Sequence, residues 1–598
     1  NGFKGYTATF TGNGSNTGGG GSLYTTIKKD KLTLSARYNY NANNSPRSYS
    51  SSTQRQTQTI SEGKQEETVI QSESSSKGKN RFQSGNLEAS YEIDTLRLIT
   101  MGFGMYGGNN DGTGYGETVM KNADPAFSGV PYYSYESDNE NDGSWYSVRG
   151  NIDYQRTSRK LKDRMFTLSY KINARPSTSN SRYGYTLNHV EPGWEDYVNK
   201  TLAGQRSDGK QNSSEHTFQA DYTTPIAKIH TLETGLKYII RNNHSDNNRY
   251  DKDENYDEDR SSHYKHLNDI LAAYVSYGIK VKKFSGRAGV RYERTMQDVK
   301  YTEKPEQSFD ADFNDWVPSA SLGFKITDMS NIRLGYNMRI WRPSIWFLNP
   351  YVNNADPQNI SYGNPNLDSE KSNNINLNYS MFAQKFSINA SATYTFVNNS
   401  IERYTFIDPE NPGVFQTTYG NIGKKQSTGL FVYANWNPVP LFRIYMNGGL
   451  DYTDLKSEKN DMANSGFSGR IFAGTQFNFP LDFRVNIQGG YFSPWIQLQG
   501  KGSPFYFTGI SVNKDFLKKK LSVQLSFQNP FWKRMKMENT TSDDTFFRRE
   551  INYRTMRMLM VSVSYRFGTL KDAIKKVKRG ISNDDMKSGG SGGGEQQM

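Results

Sequence analysis

The sequence predicts an all-β chain: a 22-stranded antiparallel transmembrane β-barrel over residues 1–567, with long loops at one rim and short turns at the other. Three observations predict it. Hydrophobic residues make up only 34% of the chain and mean hydropathy is −0.82, yet aromatics reach 14% beside 53 Gly; disordered chains are poor in aromatics. Apolar and polar residues alternate with period two in one run after another. The connections between these runs also sort by length, short and long in turn.

Composition excludes several classes. No stretch approaches the ~18 uncharged apolar residues of a transmembrane helix. With no Cys, disulfides, thiolate metal sites and cysteine nucleophiles are excluded together. The net charge is +13, but no basic run interleaved with stacking aromatics dominates, so nucleic acid is not expected as a partner. Neither a nucleophile elbow nor an HExxH, P-loop or dinucleotide fingerprint occurs, and no enzyme activity is expected. The opening residues, Asn1 to Tyr6, already read as strand rather than signal peptide. The numbering is therefore expected to begin inside a longer precursor.

The alternation is explicit in the residues. Phe483, Val485, Ile487, Gly489 and Tyr491 share one face, and Arg484, Asn486, Gln488 and Gly490 the other. Leu521, Val523, Leu525 and Phe527 alternate with Ser522, Gln524, Ser526 and Gln528, and the same holds for Ile332 to Ile340. Such strands have one oily and one wet face. Short connections fall near 29–30, 94, 158–160, 225, 280, 327–328, 383, 437–440, 480 and 518. Between them lie long ones at 41–81, 108–142, 176–213, 242–264, 297–312, 342–368 and 531–544. A soluble sandwich has no reason to sort loops this way. Outer-membrane barrels do, with periplasmic turns and extracellular loops, so the expected location is the outer membrane of a Gram-negative bacterium, with its lipid as the first partner. An even strand count lets the sheet close without an edge. Tyr38, Tyr292, Trp316, Tyr379, Phe479 and Phe505 fall near strand ends, where aromatic girdles belong. The closing strand is read at 556–567, with Leu559, Val561, Val563, Tyr565 and Phe567 outward. Residues 568–598 are read as a periplasmic tail, with a short basic helix over 570–579 and Gly-rich disorder over 588–598.

Two runs carry a family resemblance: Arg342, Pro343, Ser344 with Leu348, Asn349, Pro350, then Gly363, Asn364, Pro365, Asn366, Leu367 leading to Glu370. They resemble the loop signature of TonB-dependent-receptor-type outer-membrane barrels of Bacteroidota, and the likeness extends over the whole chain as barrel. The terminal Tyr565 and Phe567 resemble the signal read by the outer-membrane assembly machinery. The resemblance implies a transporter or receptor barrel that conducts a nutrient or other substrate, with a plug domain and TonB as partners, and possible partnership with a surface lipoprotein or other envelope protein. The same resemblance leaves room for a structural or assembly subunit that transports nothing. The plug and its TonB box are not within these 598 residues and are expected upstream. By itself the Pro, Asn and Gly loop fixes turns at little entropic cost, and it is read as architecture.

The wet face carries a basic ladder: Lys31, Arg37, Arg287, Arg291, Arg333, Arg339, Arg443, Arg470 and Arg484. Such residues solvate a water-filled wall, dock a plug through carboxylate pairs, or guide anionic cargo. One loop is acidic at alternate positions, Asp251, Asp253, Asp257 and Asp259, with Asn255 between. Alternate oxygen ligands suit a hard cation such as Ca²⁺, although Tyr256 stands where an EF-hand needs Gly and Ser262 where it needs Glu. No other cofactor is expected. His263 and His266 would point to opposite faces of a strand, against a zinc site. Tyr132, Tyr133, Tyr135 and Trp145 could stack sugars or a partner, or pack within their loop.

Overall fold

A computed structural model describes residues 4–587 except 61–63, 203, 351, 354–357, 409, 411–413 and 571–572; the expected disorder of 588–598 lies outside the described residues. Alternating sequence becomes alternating faces in the 22 strands that build the wall. They are β1 Lys4–Ser15, β2 Gly18–Lys29, β3 Leu32–Ile60, β4 Lys64–Glu92, β5 Arg97–Asn122, β6 Tyr133–Thr157, β7 Met165–Val190, β8 Gly204–Ala227, β9 His230–Asp251, β10 Ser262–Val281 and β11 Phe284–Tyr301. The second half comprises β12 Phe309–Lys325, β13 Ser330–Pro343, β14 Glu370–Phe382, β15 Phe386–Ile407, β16 Phe415–Val439, β17 Phe442–Ser457, β18 Met462–Phe479, β19 Phe483–Phe492, β20 Phe505–Phe516, β21 Leu521–Gln528 and β22 Met558–Gly568. Each pairs antiparallel with the next, and β22 closes on β1 in a register running from Thr7 opposite Gly568 to Ser15 opposite Met560. Closure leaves no strand edge unpaired in hydrocarbon.

The two faces are chemically distinct. Ile487, Leu525 and Val561 are 45%, 48% and 44% exposed despite being apolar, whereas Asn486 and Gln524, their sequence neighbours on the other face, line a wet cavity with Arg443 and Arg484. So much outward apolar surface suits lipid, not water. Aromatic pairs mark the outer surface: Phe284 with Phe324 at 4.8 Å, Tyr292 with Trp316 at 5.0 Å, and Tyr565 edge-on to Phe567 at 4.5 Å. Several short turns place non-glycine residues in the left-handed region, among them Asp30 (φ 55°), Lys282 (φ 50°) and Asp482 (φ 59°), the backbone that tight hairpins require. No helix among the described residues is long and apolar enough to cross a membrane.

The long connections differ from the sequence reading. Most are not loops but continuations of the strands beyond the membrane band: β3 and β4 stay paired from Leu32 opposite Tyr91 out to Ile60 opposite Lys64, and β5 and β6 from Arg97 opposite Arg156 to Met120 opposite Tyr133. These segments are rich in Ser, Thr, Asn and Gln, so both faces tolerate water while the ladder satisfies the backbone. Three connections depart from this plan. A short helix α1, Glu195–Thr201, packs Val198 into a core with Ile70, Met120, Tyr133 and Tyr135. The connection between β13 and β14 folds inward through a helical turn at Ile345–Leu348 and a strand at Asn359–Ser361 parallel to the start of β16. A hairpin of Arg534–Ser542 and Phe546–Thr555 lies back against β3, from Phe546 opposite Gln56 to Tyr553 opposite Tyr49.

The C-terminal tail is the second difference. The chain turns at Gly568 (φ 76°), Leu570 donates its backbone N–H to the carbonyl of Tyr6, and the described residues 573–587 run along the inward face, 573–579 without the expected helix. A ten-residue helix is marginal in water, whereas this wall offers the extended chain backbone and charged partners.

Candidate functional site: the lumen wall and its tail

Period-two alternation delivers the ladder arginines to the lumen, and the structure supplies the carboxylates and amides that hold them. Arg287 meets Glu233 and donates to Ser276 Oγ at 2.8 Å. Arg291 pairs with Glu293 at 2.6 Å, Arg484 with Asp515 at 3.1 Å, and Arg443 donates to Asn435 Oδ1 at 2.6 Å. Arg470 lies 5.3 Å from the centre of the Phe431 ring. Arg333 sits opposite Asn378 in register, and Arg339 comes within 3.9 Å of Asp584 in the tail. The ladder is thus distributed around the wall rather than gathered at one point. Arg291 and Glu293 stand two positions apart on one strand, whereas Glu233, Asp515 and Asn435 come from other strands, where one-dimensional alternation could not pair them.

What the ladder reading missed is the densest part of the lumen. Arg241, on β9, grips Asp585 with two parallel hydrogen bonds of 2.7 and 2.6 Å while its Nε donates to Glu215 at 2.6 Å. Arg342, near the end of β13, adds a bond to Asp585 at 2.7 Å and one to Glu293 at 2.6 Å, and its backbone N–H donates to the Asp585 carbonyl at 2.6 Å. Both guanidinium side chains are only 4% exposed. Bidentate arginine–carboxylate contacts of this kind combine charge with fixed geometry. On either side, the Asn583 amide donates to Glu215 and to Thr217 Oγ1 at 2.6 and 2.8 Å, Lys237 donates to the Ser582 carbonyl at 2.7 Å, and Lys587 meets Glu370. Nearer the short-turn rim, Lys575 meets Glu92, Lys576 lies 3.7 Å from Glu88, and Arg579 meets Glu233.

The two loop runs singled out in the sequence come together. Gly363 donates its N–H to the Asn349 carbonyl at 2.8 Å, and Asn364 to that of Phe347 at 2.6 Å. A Cβ on Gly363 would stand 2.4 Å from the Asn349 oxygen and 2.6 Å from that of Phe347, so the close approach admits only glycine. Phe347, Leu348 and Leu367 bury against Ile401. The two ends of the signature, Arg342 and Glu370, are the residues that hold Asp585 and Lys587. Reading the signature as architecture accounts for its middle and not for its ends.

The remaining expectations resolve as follows. Asp251 accepts the backbone N–H of Asp253 at 2.8 Å and of Asn255 at 2.9 Å, and those bonds, the Asn255 backbone first, hold its carboxyl below the usual carboxylate range. Asp257 caps the next turn through Arg260 N–H at 3.1 Å. Asp251 and Asp257 serve their own turns, and the acidic side chains do not converge: among the described residues no three His, Asp or Glu side chains form a group that could hold a metal ion. The backbone winds through successive turns there, so alternate positions do not share a face. His263 meets Glu303 and His266 lies 2.9 Å from Gln297 Oε1. Tyr132 stacks on Trp194 at 5.3 Å, and Tyr133 and Tyr135 are buried in the core beneath α1, where burial pushes the Tyr197 hydroxyl up to about 12. Trp145 packs apart, against Phe82 and Tyr106. Tyr565 and Phe567 lie outward on the closing strand.

Comparison with known proteins bears on this geometry. The model of the "Outer membrane protein beta-barrel family" matches residues 156–565. A comparison with curated proteins finds no match. Among solved structures, the copper transporter OprC superposes with a TM-score of 0.64 at 11% identity, covering 95% of this chain and 81% of that one. The ferric yersiniabactin uptake receptor FyuA of Yersinia pestis gives 0.59 at 12%, covering 94% and 80%. The ferric citrate transporter FecA in its unliganded form gives 0.55 at 13%, covering 94% and 78%. At such identities the likeness is one of fold.

Proposed function

The chain belongs to the outer membrane protein β-barrel family, and on that premise we propose that it is a transporter or receptor barrel of the TonB-dependent type, whose lumen conducts a nutrient or other substrate across the outer membrane. One observation carries the reading: a closed 22-stranded wall encloses a polar lumen whose charges are paired within and across strands. Paired charges suit a water-filled path, because they solvate the wall without a single-sign field that would trap a charged solute. The fold of uptake receptors and transporters supports the same reading. A plug domain and TonB are its proposed partners, with a surface lipoprotein or other envelope protein beside them.

The test is uptake in the native host. Deleting the gene and scoring growth on a panel of metal chelates, oligosaccharides and peptides as sole sources should remove growth on one nutrient class, restored by the gene in trans. If growth on every source is unchanged while co-purifying envelope proteins become unstable, the transport reading fails and a structural subunit takes its place.

A further inference from the structure

We propose that the inward wall carries a binding track for an extended peptide, anchored by a carboxylate site between Arg241 and Arg342, and that residues 575–587 of this chain are its occupant. This goes beyond the transport reading and stands without it.

Charge balance argues for the anchor. Arg241, Arg291 and Arg342 share two wall carboxylates, Glu215 and Glu293. With the buried Lys237 beside them, positive charge is left in excess in a buried setting, where an uncompensated ion is costly. The Asp585 carboxylate offsets part of it with three charge-assisted bonds of 2.6 to 2.7 Å. Glu215 and Glu293 fix the far sides of the two guanidiniums, so the remaining donors are aimed before the carboxylate arrives. The backbone is recognised as well: Met586 and Lys587 pair parallel with Arg342 and Pro343 as an added strand. The track also matches the tail in charge order. Basic residues 575–579 meet acidic wall residues, Asp585 meets the arginines, and Lys587 meets Glu370. The ligand class is therefore an extended peptide bearing a carboxylate followed two residues later by an ammonium group. Seated, the tail passes from β4 near the short-turn rim to the end of β13 and the start of β14.

Because the chain has no Cys, an engineered pair reports seating without background. Thr217→Cys with Asn583→Cys joins two side chains now 2.8 Å apart, Asn583 Nδ2 to Thr217 Oγ1. In the full chain, assembled in outer membranes and checked for heat-modifiable folding, mild oxidation should link most molecules, read as a faster-migrating denatured band and as the joined peptides by mass spectrometry. Thr217→Cys with Lys575→Cys, mismatched in the track, should stay mostly reduced. Adding Asp585→Asn to the matched pair should lower the linked fraction at least severalfold, since the tail keeps its length and loses only its anchor charge. Gln155→Cys with Lys578→Cys, where the Lys578 backbone N–H donates to Gln155 Oε1 at 2.7 Å, supplies a second pair if the first disturbs the wall. Linkage no greater than in the mismatched pair, or unaffected by Asp585→Asn, overturns the proposal. The readout is seating, not uptake, so it is independent of what the lumen transports.

Discussion

Replacing Leu525 with Arg tests whether the outward face is a lipid face. Leu525 is 48% exposed and flanked in register by Val512 and Val561. It stands four residues beyond Leu521, the first of its strand. At ~3.3 Å per residue and a tilt of ~40°, that is roughly 10 Å above the short-turn end, near the middle of an apolar band of ~25 Å. An arginine at that depth on the lipid face costs about 2–4 kcal/mol, and each 1.4 kcal/mol is tenfold, so the folding equilibrium in bilayers should fall by roughly 30- to 700-fold. The control is its neighbour Gln524, which faces the wet cavity, where Gln524→Arg should cost less than about 1 kcal/mol. Both are read by urea titration of the chain folded into lipid vesicles, using the heat-modifiable band as the measure of the folded state. Equal shifts for the two variants would refute the assignment of faces, and with it the transmembrane reading.

Further outcomes follow from individual sites. Gly363→Val places a Cβ 2.4 Å from the Asn349 oxygen and should open the 342–368 connection to protease while leaving the barrel heat-modifiable; unchanged digestion would show that the close approach is dispensable. Chelation of divalent cations should not alter protease sensitivity over 242–264, since Asp251 and Asp257 cap their own turns; increased cutting confined to that segment would establish a cation site. Asp251 has a folded-state pKa lowered by the Asn255 backbone, so its capping contribution is fully present above the unfolded value near ~3.9 and is lost only as pH falls through the lower folded value; cutting within 251–261 by an acid-tolerant protease should stay low from pH 7 to about pH 4 and rise below it. Replacing Tyr565 and Phe567 with Ala should reduce the yield of assembled barrel in cells, because the closing strand loses its outward aromatic edge; normal yield would remove the proposed assembly role.

Sequence alone determined the barrel. Period two along Phe483–Phe492 and Leu521–Gln528 assigns each side chain to lipid or lumen, because a strand's geometry is local and repeats every second residue. Sorted connections and an even strand count then imply closure, which hydrocarbon demands of any sheet. Hence Arg287, Arg291, Arg443 and Arg484 could be assigned to the polar face of their strands from the alternation alone. The loops were less legible. Polar segments such as 41–60 carry no apolar alternation to mark them as strand, yet their hairpin ladders continue because the partner strand is already held in register. The shape of the acidic loop was not legible, because alternation of Asp implies a shared face only on an extended backbone, and there the chain turns. Only the tertiary structure decided which arginines matter to one another. Arg241 and Arg342 stand 101 positions apart in the chain, and closing the wall brings both onto Asp585, which lies beyond the last strand. Alternation specifies a face, but an ion pair needs distance as well, and distance between strands is set by sheet order, register and closure.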